Sequence, residues 1–236
     1  MVPVLTTIFC VITLLVSLIL PILALVIYAL RHKKQGIWSA WGLGALGFVI
    51  PQMCIRSPIL AVLQKQNWFA LFAQNHLFAY TFCLALTAGL FELAGRFASA
   101  QLMRRNLTAA RGLAAGMGHG GIEAMAFIGT AYINNLVFIL LLNNGGLDAL
   151  VSQTAAAGGD PAPLLYYRDT LCNTASILFL LAGLERLLTM IGHAAMSMLV
   201  CYGVAHRKAI PCALVCLAIH TCLDMAAGIP MLAGTA

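Results

Sequence analysis

Three pairs of ionisable residues in this chain are each separated by four positions: Glu92 and Arg96, His119 and Glu123, His220 and Asp224. That spacing sets both members of a pair on one helix face. Acids and imidazoles gathered this way can serve as general bases, as proton relays or as ligands for a divalent cation. Their heights along the chain agree as well. Glu92 lies 12 residues before Arg104, Glu123 lies 12 after Arg111, His220 lies 12 after Lys208, and His193 lies 14 before Arg207. At 1.5 Å per residue all four stand about 18–21 Å from the nearest basic stop. Four different segments therefore bring an acid or an imidazole to one level.

The segments that carry them are apolar. The chain has 236 residues, 62% hydrophobic and 8% charged, whereas a soluble domain carries about 25% charged residues. Lipid must be the solvent for most of it. The formal net charge of +6 raises the question of a nucleic-acid partner. The basic residues answer it: Arg31, Lys33, Lys34, Arg104, Arg105, Arg111, Arg207 and Lys208 fall in short gaps between apolar runs. This is the positive-inside pattern of a membrane protein, and no nucleic acid is expected.

The apolar runs read as helices. Val4 to Leu30 is too long for a signal-peptide core and is followed by a basic stop, so it is expected to remain as a span with its N-terminus outside. Ile37 to Leu63 returns, with a kink expected where Pro51, Arg56 and Pro58 interrupt it. Trp68 to Gln101 and Gly112 to Leu142 follow, then an external segment over 143–168 rich in Gly, Ala, Asp and Pro. The 37 residues from Asp169 to Ala205 would run about 55 Å as one helix, too long for one crossing. A span from about Leu184 to Val204, preceded by a short interfacial or re-entrant helix, fits better. Pro211 to Leu232 is the last span and leaves the C-terminus outside. The expected fold is all-α: a polytopic transmembrane bundle of six to seven helices, one integral membrane domain over 1–236, with the core of the site in 85–230. The expected setting is a bacterial plasma membrane, with membrane lipid and a peptide or membrane-protein substrate as partners.

Nine of the ionisable groups inside these runs sit where a lipid-spanning helix should have none: Glu92, Arg96, His119, Glu123, Glu185, Arg186, His193, His220 and Asp224. Each charge at mid-bilayer costs on the order of 2.5–3.5 kcal/mol even on the lenient insertion scale, so they must face one another, water or a metal. Glu92, Glu123 and Asp224 carry three negative charges and Arg96 one positive; a divalent cation would bring the sum to zero with His193 and His220 neutral. Imidazole and carboxylate ligation suits catalytic zinc. A proton-coupled transporter and a non-catalytic scaffold holding the same ions are the alternatives. The absence of an evident inverted repeat counts against the transporter. Glu185-Arg186 reads as a structural or gating pair. Gly112, Gly116 and Gly120 make two overlapping G-x-x-x-G steps that permit close helix approach beside the site. The eight cysteines show no C-x-x-C pair and read as small apolar residues within the runs.

The ordered set Phe91-Glu92-Leu93-Ala94-Gly95-Arg96, Gly116-Met117-Gly118-His119-Gly120-Gly121-Ile122-Glu123, Glu185-Arg186 with His193 and Ser197, and His220 with Asp224 resembles the YhfC family of intramembrane metalloproteases. That family is related to PrsW and to the type II CAAX prenyl proteases. The resemblance implies a CAAX-protease-like core and a metalloendopeptidase. Its catalytic glutamate would be Glu92, activating water as general base, with Arg96 as companion and His119 beside them. Metal ligands are implied at Glu123, His193, His220 and Asp224, with Zn(2+) as the cofactor. Substrate would enter from the membrane or its inner face. Relatives such as PrsW begin the first motif with two adjacent glutamates; here Leu93 stands in the second place.

Overall fold

The structure is a computed structural model that describes residues 1–229. Among those residues every regular element is helical and no strand is present. In chain order the helices are α1 (Val4–Arg31), α2 (Ile37–Leu63), α3 (Asn67–Asn75), α4 (Leu77–Met103), α5 (Ala109–Asn143), α6 (Gly146–Ala156), α7 (Ala162–Asn173), α8 (Ser176–Ala205) and α9 (Ala209–Ala227). Six of them, α1, α2, α4, α5, α8 and α9, are long and apolar enough to cross a membrane. Their outward faces carry exposed Leu, Ile, Val and Phe side chains, as a lipid-facing surface requires.

Several boundaries differ from those expected of the sequence. The run from Trp68 is not continuous: His76 leaves helical geometry at φ −135° and ψ 51° and separates α3 from α4. The segment 143–168 holds α6 and most of α7. The fifth span begins at Ser176 rather than near Leu184, because α7 ends at Asn173 and extended Thr174 starts a new helix. The resulting 30 residues of α8 would measure about 45 Å, a length that a tilted or projecting span accommodates. Pro51 does not break α2. It lacks an N–H to donate, and the helix widens into an eight-residue π-helical stretch, Val49–Arg56, that carries the chain through. Shorter π-helical turns occur at Leu15–Ile19 in α1 and Met125–Gly129 in α5. The expected end of the last span at Leu232, and the C-terminus, lie outside the described residues.

The helices group into two compact units. The first comprises Met1–Ala24 and Ala124–Thr189. Its core joins Val2, Cys10, Tyr132, Ile139, Leu171 and Phe179, and the Phe179 carbonyl accepts hydrogen bonds from Thr13 Oγ1 (2.6 Å) and Tyr132 Oη (3.0 Å). The adjacent Glu185 and Arg186 of this unit pair with each other at 2.5 Å.

The second unit comprises Leu25–Glu123 and the chain from Met190 onward. Here α4 packs against both α2 and α9. Glycine lets these helices meet at the main chain. A methyl group on Gly95 would lie 1.7 Å from the Gly47 carbonyl oxygen, and one on Gly118 would lie 2.0 Å from that of Trp41. The Gly112, Gly116 and Gly120 stripe faces α8, with positions for a methyl 2.5 Å from Ala194 Cα and 2.8 Å from His193 Cβ at the last two. The apolar core of this unit includes Ala40, Ala100, Met103, Ala114, Ala115, Met196, Val200 and Cys216. On every helix these residues fall on the side of the basic turns, between them and the level of Glu92. Cys10, Cys201, Cys212 and Cys216 are buried, whereas Cys54, Cys83 and Cys222 are exposed, and all eight are free thiols.

Candidate active site and metal centre

Four helices of the second unit converge on one carboxylate. Glu92 and Arg96 come from α4, His119 and Glu123 from α5, His193 from α8, and His220 and Asp224 from α9. Glu92, Arg96, His119, His193 and His220 are each no more than 4% exposed. Glu92 Oε2 accepts from His119 Nε2 at 3.0 Å, His220 Nε2 at 2.9 Å and Arg96 Nη2 at 3.1 Å, and His193 Nδ1 lies 3.7 Å away. The His119 and His193 rings stack with centroids 5.4 Å apart, and His220 meets His193 edge-on at 5.8 Å. Phe48 closes the side, its ring 5.3 Å from that of His119.

The remaining acids stand on the outer nitrogens of these rings. Glu123 Oε2 is 2.8 Å from His193 Nε2, and Asp224 Oδ2 is 3.4 Å from His220 Nδ1. Arg96 Nη2 also donates to His193 Nδ1. A guanidinium has only donors, so that nitrogen is unprotonated and the proton of a neutral His193 sits on Nε2, facing Glu123. Of the four positions in the depth count, Glu92, His193 and His220 come together directly, and His119, one turn from Glu123 on α5, takes the remaining place beside Glu92. Glu123 and Asp224, expected in the same shell, instead abut the far sides of two imidazoles. Leu93 turns away from this polar layer and packs against the apolar core.

Arg56 belongs to the surroundings and was not among the nine groups singled out, though it is visibly a charge inside an apolar run. From the π-helical stretch of α2 it donates to the Leu84 carbonyl (2.7 Å) and Thr87 Oγ1 (3.4 Å) of α4, and the charges of Glu92 and Asp224 act on it. Counting it reduces the uncompensated charge of the cluster to a single negative one.

The donor set fits a metal ion. Ligand atoms of Glu92, His119 and His193 all lie within 4.8 Å of one another. A tetrahedral shell with bonds of about 2.0–2.1 Å separates its ligands by about 3.3 Å, and the three imidazole nitrogens stand 2.9–3.7 Å from Glu92 Oε2. Carboxylates on the outer nitrogens are the usual means of orienting ligating histidines.

Comparison with known proteins agrees with this chemistry. The YhfC intramembrane metalloprotease family matches residues 16–234. The chain belongs to that family. A relative from Bacillus subtilis (strain 168), named "Uncharacterized membrane protein YhfC", is 29% identical over 194 residues, which cover 82% of this chain and 73% of the relative. No solved structure matches the chain. This family member therefore carries a buried Glu-His-His cluster with metal-ligand spacing in a multi-pass membrane protein.

Proposed function

We propose that the chain is an intramembrane zinc metallopeptidase hydrolysing a peptide bond of a membrane-associated substrate. The observation that carries this reading is the convergence of three buried imidazole nitrogens on Glu92 Oε2 from separate helices. In this proposal His119, His193 and His220 would hold the cation, with the Glu92 carboxylate beside it. Glu123 and Asp224, which the resemblance implies as ligands, would on this reading orient His193 and His220 from behind. Bound there, zinc would supply Lewis acidity, acidifying water toward neutral pH and polarising the scissile carbonyl. Glu92 takes the proton of the attacking water as general base. Arg96 holds the Glu92 carboxylate in place and balances its charge when the cation is away. The plasma membrane and an outside position for both termini complete the proposal.

One observation favours a second reading. Arg96 already satisfies both Glu92 and His193, so the cluster can close as an ion-pair network with no cation. On that reading the chain is a non-catalytic membrane scaffold. Metal analysis of the purified protein, wild type against His193→Ala, alongside release of peptide from membrane substrates, separates the two. About one zinc per chain in the wild type, lost together with proteolysis in the variant, supports the peptidase. A folded wild-type protein that takes up no divalent cation supports the scaffold.

A further inference from the structure

A groove of about 210 Å³ lies in the second unit between the start of α5 and the end of α8, away from the polar cluster. Its walls are Leu107, Ala109, Gly112, Met198, Cys201 and Ala205, with Thr108, Tyr202 and His206 adding the polar atoms. Gly112 opens it by presenting no side chain to Cys201. The volume is below the roughly 300–1,000 Å³ of sites that enclose a drug-sized molecule, and suits a length of hydrocarbon chain.

Cations frame the groove. Arg104 and Arg105 form the turn that leads into Leu107, and Arg207 and Lys208 follow directly on His206. All four are exposed, and among the described residues none of them forms an ion pair with an acid. No Asp or Glu occurs between Leu93 and Ile122 or between Arg186 and Leu223 except beyond those limits, so the rim has no acidic neighbour in either segment. Clusters of four or more Lys or Arg at the end of membrane helices attract anionic lipid, and basic pockets between helices bind its phosphate groups.

We propose that this groove is a binding site for an anionic phospholipid, with part of an acyl chain between α5 and α8 and the phosphate on the Arg104, Arg105, Arg207 and Lys208 rim. The apolar walls exclude a free anion as the natural occupant, and the unpaired cations select against zwitterionic lipid. The site is independent of the peptidase reading, since none of its residues belongs to the Glu92 cluster.

The test uses the full chain in detergent micelles supplied with equal amounts of phosphatidylglycerol and phosphatidylcholine, followed by native mass spectrometry. Wild-type protein should retain the anionic lipid about ten-fold over the zwitterionic one. Charge removal (Arg104→Gln, Arg105→Gln, Arg207→Gln and Lys208→Gln together) should abolish the preference. Filling the groove with Ala205→Trp should lower retention of the anionic lipid at least five-fold with the rim intact. The milder Ala205→Leu serves if the tryptophan variant does not fold. Equal retention of the two lipids by the wild type overturns the proposal. So does displacement of the lipid by millimolar inorganic phosphate, or a groove-filled variant that binds as the wild type does, because each would leave only a basic surface.

Discussion

Glu92 and His220 share one hydrogen bond yet differ in what their loss would do. Glu92→Gln is nearly isosteric and still offers Arg96 an oxygen, so the fold and bound zinc are expected to persist. Peptide hydrolysis should fall by about 10²–10⁴-fold with the base gone. His220→Ala removes a nitrogen facing Glu92 and leaves Asp224 less compensated beside a dry interior. It should lose metal and activity together and unfold at lower temperature. Zinc content and thermal melting of the two variants, measured in the same detergent, check both expectations; a Glu92→Gln protein that cleaves at the wild-type rate would refute the base. Much of this cluster was legible in the sequence, because residue counts from a basic stop fix height along a helix. Azimuth is not fixed by such counts. Hence the position of Glu123 and Asp224 behind the rings, and the approach of Arg56 to α4, emerged only with the packing.

At the scale of the elements, the second unit relies on glycine contacts where its helices cross. Lipid tails are as apolar as leucine, so close van der Waals packing supplies what the hydrophobic effect cannot. Gly95 stands one residue before Arg96 and against the Gly47 carbonyl. Gly95→Ala should destabilise the protein by about 1–3 kcal/mol through overpacking and, by pushing α2 from α4, weaken zinc binding. Gly42, which has open space around it, is the matched control, and Gly42→Ala should leave both unchanged. Equal melting curves and equal metal content for the two variants would show that the close contact is dispensable. The spans themselves were legible from composition, and the Gly112, Gly116 and Gly120 stripe from its spacing. The break at His76 and the start of α8 at Ser176 were not, since apolar residues continue across both and only backbone geometry marks them.

Across the whole molecule, the basic turns predict a sidedness. Three spans, α2, α4 and α5, separate Gln35 from Asp148, so the two positions should lie on opposite faces of the membrane. In a variant lacking the native cysteines, Gln35→Cys and Asp148→Cys should react with a membrane-impermeant maleimide from opposite sides of oriented vesicles. Reaction of both from one side would overturn the arrangement.

The polar layer is also unevenly sealed. Toward the basic turns it is backed by the packed Ala100, Met103, Ala114, Val200 and Cys216. On the other side, the Asp224 side chain, one turn beyond His220, is 37% exposed, and that of Glu123, one turn beyond His119, is 14% exposed. On the peptidase reading, water and polypeptide would reach Glu92 past Asp224 and Glu123 rather than through that packed core, whereas the sequence left entry open between the membrane and its inner face. On that reading a substrate would present its scissile bond from the same side, and its products would leave by the same door.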